Sequence, residues 1–585
     1  MSQGTEINRW LDRIKRAESV RNDADARYGY SRSLLEYQGD YASVMPSFVA
    51  DTDIIPINEV YAYVKTFVPS VFSRNPHVAV NAKGKSHIAS SKLIELALNA
   101  YWRDLRVKKE IKRCVFDACF AEGWLKTGYT AAFGSMTNEE GVPDLEASGF
   151  IQKDEIFAVR VPWKNMVRDP DAVDGIYDAR FVAQKLIYPI EAVRQSSLYE
   201  KAGKIQPAII ASPNDPNQRN LKHSPADEVE YAILWEIWDM DSLKILTLSE
   251  GSDVWHMQKD WPYEFDGFPF SILRFNENPD ECYSPNLIGP WEPQLWEKIK
   301  LRSMAMDHIK RYNRQLSIEE GAMTQNELNK LALGKTASIT KRKKGTLPPA
   351  AIAYPPFQQD GFVLENRIDL DKDNISGQPN AVRSAPQRTQ SRTLGEIDRL
   401  ISSFQARQSE PQANVEDFVE DVAYKLIGLM KQYLPGEKFV RATQREFQEI
   451  AAAFPGRFDG TGFRFTREDI RKAEFEIEVK AGSTLPHDRQ GRMESMIGLL
   501  KLGPTIGIQP GGKVSMTIGK NLVGEFDITE IEVAFEEEMA RLEAMKKAAA
   551  AGQIMAIDAK QKQIAEAKES MMRLNGSVGT GSPVE

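Results

Sequence analysis

The sequence predicts an α+β protein that is mainly helical. Apolar residues recur every three or four positions over long stretches, which is typical of helices. Alternating apolar and polar residues, typical of strands, are confined to shorter blocks. The chain has 585 residues, 42% of them hydrophobic, so it is long enough to form several structural units.

Composition limits the functions that the chain can have. The net charge of -8, the 27% of charged residues and the mean hydropathy of -0.43 are typical of a soluble protein. No apolar run approaches the roughly 20 residues that span a bilayer, and the N-terminus lacks the apolar core of a signal peptide. We therefore expect synthesis in the cytoplasm and no membrane contact. An acidic pI near 5.6 disfavours a large basic DNA-binding face, so any DNA contact should be local and weak.

The N-terminal third predicts helices followed by strands. YVKTFVPSVFSRNPHVAVNA reads as a helix end with an extended exit, because Pro69 and Pro76 interrupt it. Residues 89–127 carry a strong helical pattern, either as one long helix or with a break near Leu105. VEYAILWEIWDMDSLKILTL then predicts a β-hairpin with one buried face. Gly267 marks a turn before another apolar strand.

A long helix is predicted after Pro290. Its apolar positions lie near helical spacing, and Met304 and Met306 are predicted to fill the core; the other apolar positions are Leu295, Ile299, Ile309 and Leu316. A short non-helical segment then precedes a second helix at about Gln358–Asp373. That segment carries the basic run Lys341, Arg342, Lys343 and Lys344, for which solvated charge, a targeting signal and contact with DNA all remain open.

The next twenty residues, NISGQPNAVRSAPQRTQSRT, contain no acidic side chain. Gly377, Pro379 and Pro386 disfavour a helix or a ladder strand there, so the segment should be an irregular loop. Polar side chains in it are suited to bind phosphate oxygens without reading sequence; the candidates are Arg383, Arg388, Arg392, Asn380 and Gln387. The alternative interpretation is a solvated linker.

The C-terminal part is predicted to be mostly helical. An apolar stripe runs from Leu394 to Leu434, where Pro411 should kink or interrupt the helix. Phe475, Ile477 and Val479 alternate with glutamates and predict a strand. An alanine-rich helical stretch follows and ends in a disordered tail.

Known catalytic and metal-binding patterns are missing from the sequence. Gly334-Lys335-Thr336 imitates the end of a P-loop, but Asn329 stands where that motif requires glycine. The histidines are scattered without the spacing of a metal site. Cys114, Cys119 and Cys282 are too few for a disulfide framework and should be buried thiols. We therefore predict a non-enzymatic protein with no catalytic residues, metal or cofactor.

The order of these elements resembles the portal protein, or head-to-tail connector, of tailed bacteriophages, from about Tyr41 to Leu502. The segments that carry the resemblance are VFSRNPHVAV, LIELALNAYWRDLRVKKEI with GWLKTGY, VPWKNMVRDPDA with DARFVAQKLI, VEYAILWEIWDMDSLKILTL, FPFSILRFNENPDECYSPNLIGPWEPQLWEKIKLRSM, NISGQPNAVRSAPQRTQSRTLGEI and EFEIEVKAGSTLPHDRQGRMESMIGLL. The resemblance rests on the order in which these segments follow one another. No single segment is as specific as a metal-ligand signature.

The resemblance implies a portal-like protomer with an α/β wing, a two-helix stem, a small clip, a tunnel loop and a C-terminal helical crown. The implied regions are the wing at 1–287 and 435–505, stem helices at 288–316 and 358–375, the clip at 317–357, the tunnel loop at 376–392, a long wing helix at 393–434, the crown at 506–575 and a disordered tail at 576–585.

The resemblance also implies partners. The protein would be a homo-oligomer, with a dodecameric ring as the usual state, at the portal vertex of the virion capsid. Double-stranded DNA would pass through the channel, and the ring would contact terminase, the major capsid and scaffolding proteins, and head-completion or tail adaptor proteins. Two other classes remain open: a terminase-like nucleic-acid-processing ATPase, and a capsid or tail scaffold without DNA contact.

Overall fold

Helices and strands alternate irregularly along the chain in the computed structural model, and the predicted mixture of α and β is confirmed. The residues that the structure describes are 3–47, 54–73, 76, 78–84, 88–133, 136–137, 143–144, 151–196, 198–211, 229–312, 316–333, 341–351, 360–378, 394–434, 438–441, 462–471 and 475–479. The predicted crown and tail, and most of the C-terminal wing, lie outside these residues.

The helices range from one turn to eleven turns. They are α1 (Gln3–Tyr28), α2 (Tyr30–Gln38), α3 (Glu59–Val71), α4 (Ile88–Asp104), α5 (Val107–Phe120), α6 (Ile190–Gln195), α7 (Glu292–Tyr312), α8 (Gln325–Leu333), α9 (Asp360–Ser376), α10 (Leu394–Tyr433) and α11 (Arg467–Arg471).

The strands form several small antiparallel sheets and one larger sheet. They are β1 (Val78–Ala82), β2 (Gly123–Phe133), β3 (Met136–Thr137), β4 (Pro143–Asp144), β5 (Ile151–Val161), β6 (Met166–Arg168), β7 (Phe181–Pro189), β8 (Ile209–Ala211), β9 (Val229–Asp239), β10 (Lys244–Ser249), β11 (Met257–Asp260), β12 (Phe270–Leu273), β13 (Leu316–Ser317), β14 (Ala350–Ala351), β15 (Lys438–Arg441), β16 (Gly462–Phe465) and β17 (Phe475–Val479).

The larger sheet has the strand order β11-β10-β9-β7-β6, and β8 also pairs with β9. The predicted hairpin is confirmed as β9 and β10, where Trp235 lies opposite Leu248. The expectation of one buried face is wrong, because both faces are covered. Trp235 packs with Trp10 of α1, whereas Leu234 on the opposite face packs with Ile190 of α6.

A second sheet, of order β12-β2-β5, supports the main core. Leu125 and Ala158 from this sheet join one buried cluster with Cys114 of α5 and Val422 of α10. Helices α5 and α10 therefore pack on the same hydrophobic core as the sheet. The predicted strand at 475–479 is confirmed as β17, which pairs antiparallel with β1.

Two breaks predicted in helices have different outcomes. The stretch at 89–127 contains α4 and α5, which are separate because Arg106 adopts a left-handed conformation with φ 52° between them. The helical prediction is wrong for the end of the stretch, since Gly123 to Thr127 belong to β2. Interruption at Pro411 is wrong, since α10 continues through it. Proline removes only one backbone donor, and Val415 and Phe418, which follow it, are buried in the main hydrophobic core.

The three thiols are free and buried, as predicted: Cys114, Cys119 and Cys282. Burial raises the pKa of each thiol above its ordinary value. They therefore behave as small apolar side chains rather than as nucleophiles.

Candidate functional site

Helices α7 and α9, here called the paired helices, lie against each other and flank the basic run. Arg302 of α7 pairs with Glu365 of α9 at 2.6 Å (Nε to Oε1), and Lys298, one turn earlier on α7, pairs with Asp369, one turn later on α9. Residue numbers therefore rise along α7 in the direction in which they fall along α9. The paired helices are antiparallel.

Four charged side chains fasten the paired helices to α3, and we call them the charge cluster: Glu59, Lys298, Asp369 and Lys372. Nζ of Lys298 lies 2.8 Å from Oε1 of Glu59 and 2.5 Å from Oδ1 of Asp369. Nζ of Lys372 lies 3.0 Å from the same Asp369 oxygen and also contacts Glu59. Two cations and two anions cancel, so the cluster buries no net charge.

Burial and pairing act in opposite directions on these groups. Burial alone would raise the pKa of Glu59, but Lys372 and Lys298 lower it below its usual value. Burial likewise opposes ionisation of Asp369, and the two lysines again lower its pKa. Burial would lower the pKa of Lys298, whereas Asp369 and Glu59 raise it. These shifts favour the charged forms of Glu59, Asp369 and Lys298 at neutral pH.

Between the paired helices the chain makes a small excursion, residues 316–351. Its first and last strands, β13 and β14, pair antiparallel, with Leu316 opposite Ala351 and Ser317 opposite Ala350. The chain therefore leaves α7 and returns toward α9 at neighbouring positions. Helix α8 lies within the excursion.

The basic run lies exposed on the excursion, and its backbone is held in place. The side chains of Lys341, Arg342, Lys343 and Lys344 are all exposed. The N–H of Lys341 donates to Glu327 at 3.1 Å, and the N–H of Lys343 donates to the carbonyl of Ala322 at 2.9 Å. Hydrogen bonds from Lys330 and from the Lys341 backbone lower the pKa of Glu327. The run is thus a fixed cluster of positive charge facing solvent.

The apolar stripe of α7 is covered at one end only. Leu295 and Ile299 are fully buried, as a core stripe requires. Met304, Met306 and Ile309 are 47%, 42% and 54% exposed. The prediction that Met304 and Met306 fill the core is therefore wrong. Met306 and Ile309 share a face of α7 with Leu295 and Ile299, whereas Met304 lies on the opposite side of the helix. Within the described structure, the chain's own elements cover only the beginning of the face that carries Leu295.

Helix α9 carries further exposed apolar side chains that sequence reasoning missed. Phe362, Val363 and Leu370 are 57%, 67% and 57% exposed. The signal was available in GFVLENRIDL, where apolar residues stand beside one another rather than at helical spacing. Such a pattern gives a helix apolar surface on more than one side.

Residues 379–392 of the predicted tunnel loop lie outside the described residues, and so do Asn380, Arg383, Gln387, Arg388 and Arg392. The irregular segment predicted from Asn374 starts later than expected, because α9 continues to Ser376. Its two flanking helices are described, and they contact each other.

Nη1 of Arg407 in α10 donates to the carbonyl of Asn374 in α9 at 2.6 Å. Gly377 follows α9 with φ 68°, and a Cβ on it would lie 2.9 Å from Cδ of Arg407. The segment 379–393 thus begins at a helix end that is tied to α10.

An open cleft of about 460 Å³ is lined by acidic residues of α10. Its lining residues are Lys83, Asp417, Glu420, Asp421, Tyr424, Phe475 and Ile477. Asp421 already pairs with Lys425 at 2.5 Å, and Lys83 is the one lining cation beside Asp417 and Glu420. The net charge there remains negative, so this cleft is unsuited to bind phosphate groups.

Within the described part of the chain, no group of His, Cys, Asp and Glu side chains is arranged to hold a metal ion. Among the described helices, none combines the length and apolar character of a membrane span. The P-loop-like Gly334-Lys335-Thr336 lies outside the described residues.

The sequence matches no known family model, and it matches none of the curated proteins with which it was compared.

Proposed function

We propose that this protein is the portal protein of a tailed bacteriophage. Copies would form a ring at one capsid vertex, and duplex DNA would pass through the central channel during packaging and ejection. The observation that carries the proposal is the antiparallel pair α7 and α9, which encloses a small excursion closed by β13 and β14. This arrangement is what a stem of two helices with a clip between them requires.

Uncovered apolar residues on the paired helices support assembly. Met304, Met306 and Ile309 on α7, and Phe362 and Val363 on α9, are large apolar side chains left in water. Clustered apolar surface of this kind marks protein contact sites. A contact between different faces of neighbouring copies closes into a ring when the rotation permits, so we propose a ring of about twelve copies.

The rigid attachment of the paired helices also supports the proposal. A channel wall has to keep its shape while a polyanion passes and a motor pushes against the ring. The charge cluster ties α7 and α9 to α3 through lysines that are only 7% and 2% exposed. Removing one partner from such a cluster is costly, which opposes separation of the paired helices.

The proposed DNA contacts are Arg383, Arg388 and Arg392, assisted by Asn380 and Gln387. Repeated around a ring, these arginines would place a cationic belt on an otherwise acidic protein of net charge -8 per copy. Passing phosphates would be held briefly rather than tightly, because few counterions are released per contact.

The excursion would be the docking site for terminase and later for tail adaptors. Its basic run, Lys341 to Lys344, is exposed and held in place by backbone hydrogen bonds. Positive charge of this kind steers association with partners that carry an acidic surface.

Two other functions are less well supported. A terminase-like ATPase requires a P-loop, and Asn329 occupies the position of an essential glycine. A capsid or tail scaffold without DNA contact would leave the acid-free loop without a role.

Native mass together with negative-stain imaging tests the proposal. We expect a ring of about twelve copies with a central hole. The double variant Ile309→Asp and Phe362→Asp should release smaller species, whereas Leu198→Asp, at another exposed apolar position, should leave the ring intact. A stable monomer or dimer of the parent protein at several salt concentrations would overturn the proposal.

The loop is tested separately by replacing Arg383, Arg388 and Arg392 with alanine. We expect rings to form and the yield of full particles to fall. Normal yields of full particles would remove the loop from the mechanism.

A further inference from the structure

A strongly basic surface lies where α4 meets α5. Residues 103–113, RDLRVKKEIKR, hold six cations and two acids, so their net charge is +4 in a chain of net charge -8. The six cations are Arg103, Arg106, Lys108, Lys109, Lys112 and Arg113. We call these residues the basic junction. It is separate from the tunnel loop and from the basic run on the excursion.

The junction is structurally well defined. Helix α4 ends at Asp104 and α5 begins at Val107. The N–H of Arg106 donates to the carbonyl of Arg103 at 3.1 Å, and the N–H of Lys109 donates to the carbonyl of Arg106 at 2.8 Å. Short hydrogen-bonded connections of this kind fix the positions of the flanking side chains.

Most of its cations are exposed and have no carboxylate partner. Arg103, Arg106, Lys109 and Lys112 are exposed, and none of them forms an ion pair within the described part of the chain.

Two nearby acids, Glu110 and Asp117, are already occupied. Glu110 accepts from Arg113 at 2.9 Å and from the N–H of Arg160 at 3.2 Å. Asp117 is bound by the guanidinium of Arg160 through two hydrogen bonds of 2.5 Å and 2.7 Å. The positive charge of the junction is therefore not cancelled locally.

Two features of the junction oppose local stability. Arg106 has φ 52°, a left-handed conformation that favours glycine or asparagine over arginine. Lys108 and Lys109 lie in the first turn of α5, where the helix dipole disfavours cations. Residues that are unfavourable for the local structure are typical of functional sites.

The chemistry of the surface indicates its partner. Val107 and Ile111, the apolar residues of α5 within the junction, are fully buried, so the exposed side of α5 there is cationic. The centre of a protein–protein interface is usually apolar, and these two buried residues do not supply one. From Arg106 to Arg113 α5 extends over about 10 Å, a length along which duplex DNA presents several phosphates.

We infer that the basic junction binds the phosphate backbone of nucleic acid, with Arg103, Arg106, Lys109 and Lys112 as the contacting residues. Binding would not depend on base sequence, because the contacts are to phosphates. The inference rests on the proposed function for the source of the nucleic acid, duplex DNA. It adds a second DNA-binding surface outside the tunnel loop.

Fluorescence anisotropy with a labelled DNA duplex tests the inference on the full-length protein. The variant carries Arg103→Gln, Arg106→Gln, Lys109→Gln and Lys112→Gln. Between about 50 and 200 mM salt, the slope of log binding constant against log salt should fall in magnitude by about 3 to 4. The affinity at the lower salt concentration should fall more than about tenfold.

A matched control removes the same charge elsewhere. Arg9, Arg13, Lys15 and Arg16 are four exposed cations on α1, interspersed with acidic residues. Their replacement by glutamine should leave most of the binding. An equal loss in both variants would show that net charge alone matters, and it would overturn the inference.

A single substitution avoids the risk that the fourfold variant fails to fold. Arg106→Gly relieves the left-handed strain, so thermal stability should rise while the salt slope falls by about 0.9. Unchanged binding in this stabilised variant contradicts the assignment of Arg106.

Native mass of the same samples separates this inference from the proposed function. If the protein forms rings and the substitutions do not change DNA binding, the inference that the basic junction binds DNA is wrong, but the portal proposal is unaffected. Junction-dependent binding by a protein that never forms rings would support the junction and overturn the portal proposal. If the substitutions abolish the rings but leave DNA binding unchanged, the basic junction is a contact between copies of the protein, and the inference is wrong.

Discussion

Glu36 of α2 and Glu292 of α7 are two buried carboxyl groups that share one hydrogen-bond donor. Nε1 of Trp296 lies 3.1 Å from an oxygen of each. Arg32 pairs with Glu292 at 2.5 Å. Burial, and then the proximity of Glu292, raise the pKa of Glu36 to about 9. Glu36 is therefore neutral at neutral pH, at the point where α7 begins.

This arrangement makes stability depend on pH. The pKa of Glu36 is about 9 in the folded protein and 4.5 as an ordinary value. The folded state thus binds more protons between these values, and the free energy of unfolding falls as pH rises through this range. Glu36→Gln mimics the protonated carboxyl. We expect it to stabilise the protein by about 3 kcal/mol at pH 7 and to have little effect near pH 4.5.

Denaturant unfolding of parent and variant from pH 5 to pH 9 measures this effect. Glu6→Gln, at an exposed position of α1, is the control and should leave the pH dependence unchanged. A Glu36→Gln variant that is less stable than the parent at every pH would show that Glu36 is ionised in the folded protein.

The charge cluster predicts the opposite pH response. Glu59 and Asp369 have lowered pKa values because Lys372 and Lys298 outweigh burial. Their contribution is complete above the ordinary Glu value of 4.5 and is lost as pH falls through the lowered folded-state values. Lys372→Met should leave one lysine for two carboxylates and destabilise the protein by about 3 kcal/mol at pH 7. In this variant, the free energy of unfolding should also fall less than in the parent as the pH is lowered.

Lys330→Met is the matched control for this change. Lys330 also pairs with a glutamate, at 2.9 Å from Glu327, but its side chain is 54% exposed. Exposed pairs contribute about 0 to 1 kcal/mol. Similar effects of Lys330→Met and Lys372→Met on unfolding would contradict a role for burial.

Local sequence patterns predicted the elements but not their long-range partners. The hairpin of β9 and β10 was predictable because both strands and their turn are adjacent in sequence. The pairing of Val78 in β1 with Val479 in β17 was not, since alternation of side chains says nothing about which strand lies alongside. For the same reason the charge cluster was invisible, because Glu59 and Lys372 are distant in sequence.

Sequence patterns also predicted the candidate site only in part. Periodicity placed Met306 on the same face of α7 as buried Leu295, but it does not say what covers each end of that face. The conformation of Arg106 shows a similar limit, because side-chain spacing alone could not distinguish one long helix from α4 and α5.

A close approach of α5 and β2 makes Gly123 sensitive to any side chain. A Cβ on Gly123 would lie 2.3 Å from the carbonyl oxygen of Cys114. Backbone cannot move aside as a flexible side chain can, so Gly123→Ala should destabilise the protein by about 3 kcal/mol. Gly203→Ala, where no atom lies within 4 Å of the added Cβ, should be nearly neutral. Equal midpoints of urea unfolding for the two variants would contradict this packing.

The anchor of the predicted tunnel loop is testable without DNA. Arg407 of α10 donates to the carbonyl of Asn374, one of the last carbonyls of α9, which have no partner within their own helix. Its guanidinium also lies at the negative end of that helix dipole. Arg407→Ala should therefore loosen the last turn of α9 and speed hydrogen exchange of the N–H of Gly377, which donates to Asp373 at 3.0 Å. Global stability should change by less than about 1 kcal/mol, because the Arg407 side chain is exposed. Glu410→Ala, at another exposed position of α10, should leave that exchange rate unchanged. If Arg407→Ala also leaves it unchanged, the start of the loop is held by α9 alone, and contact with α10 does not set its position.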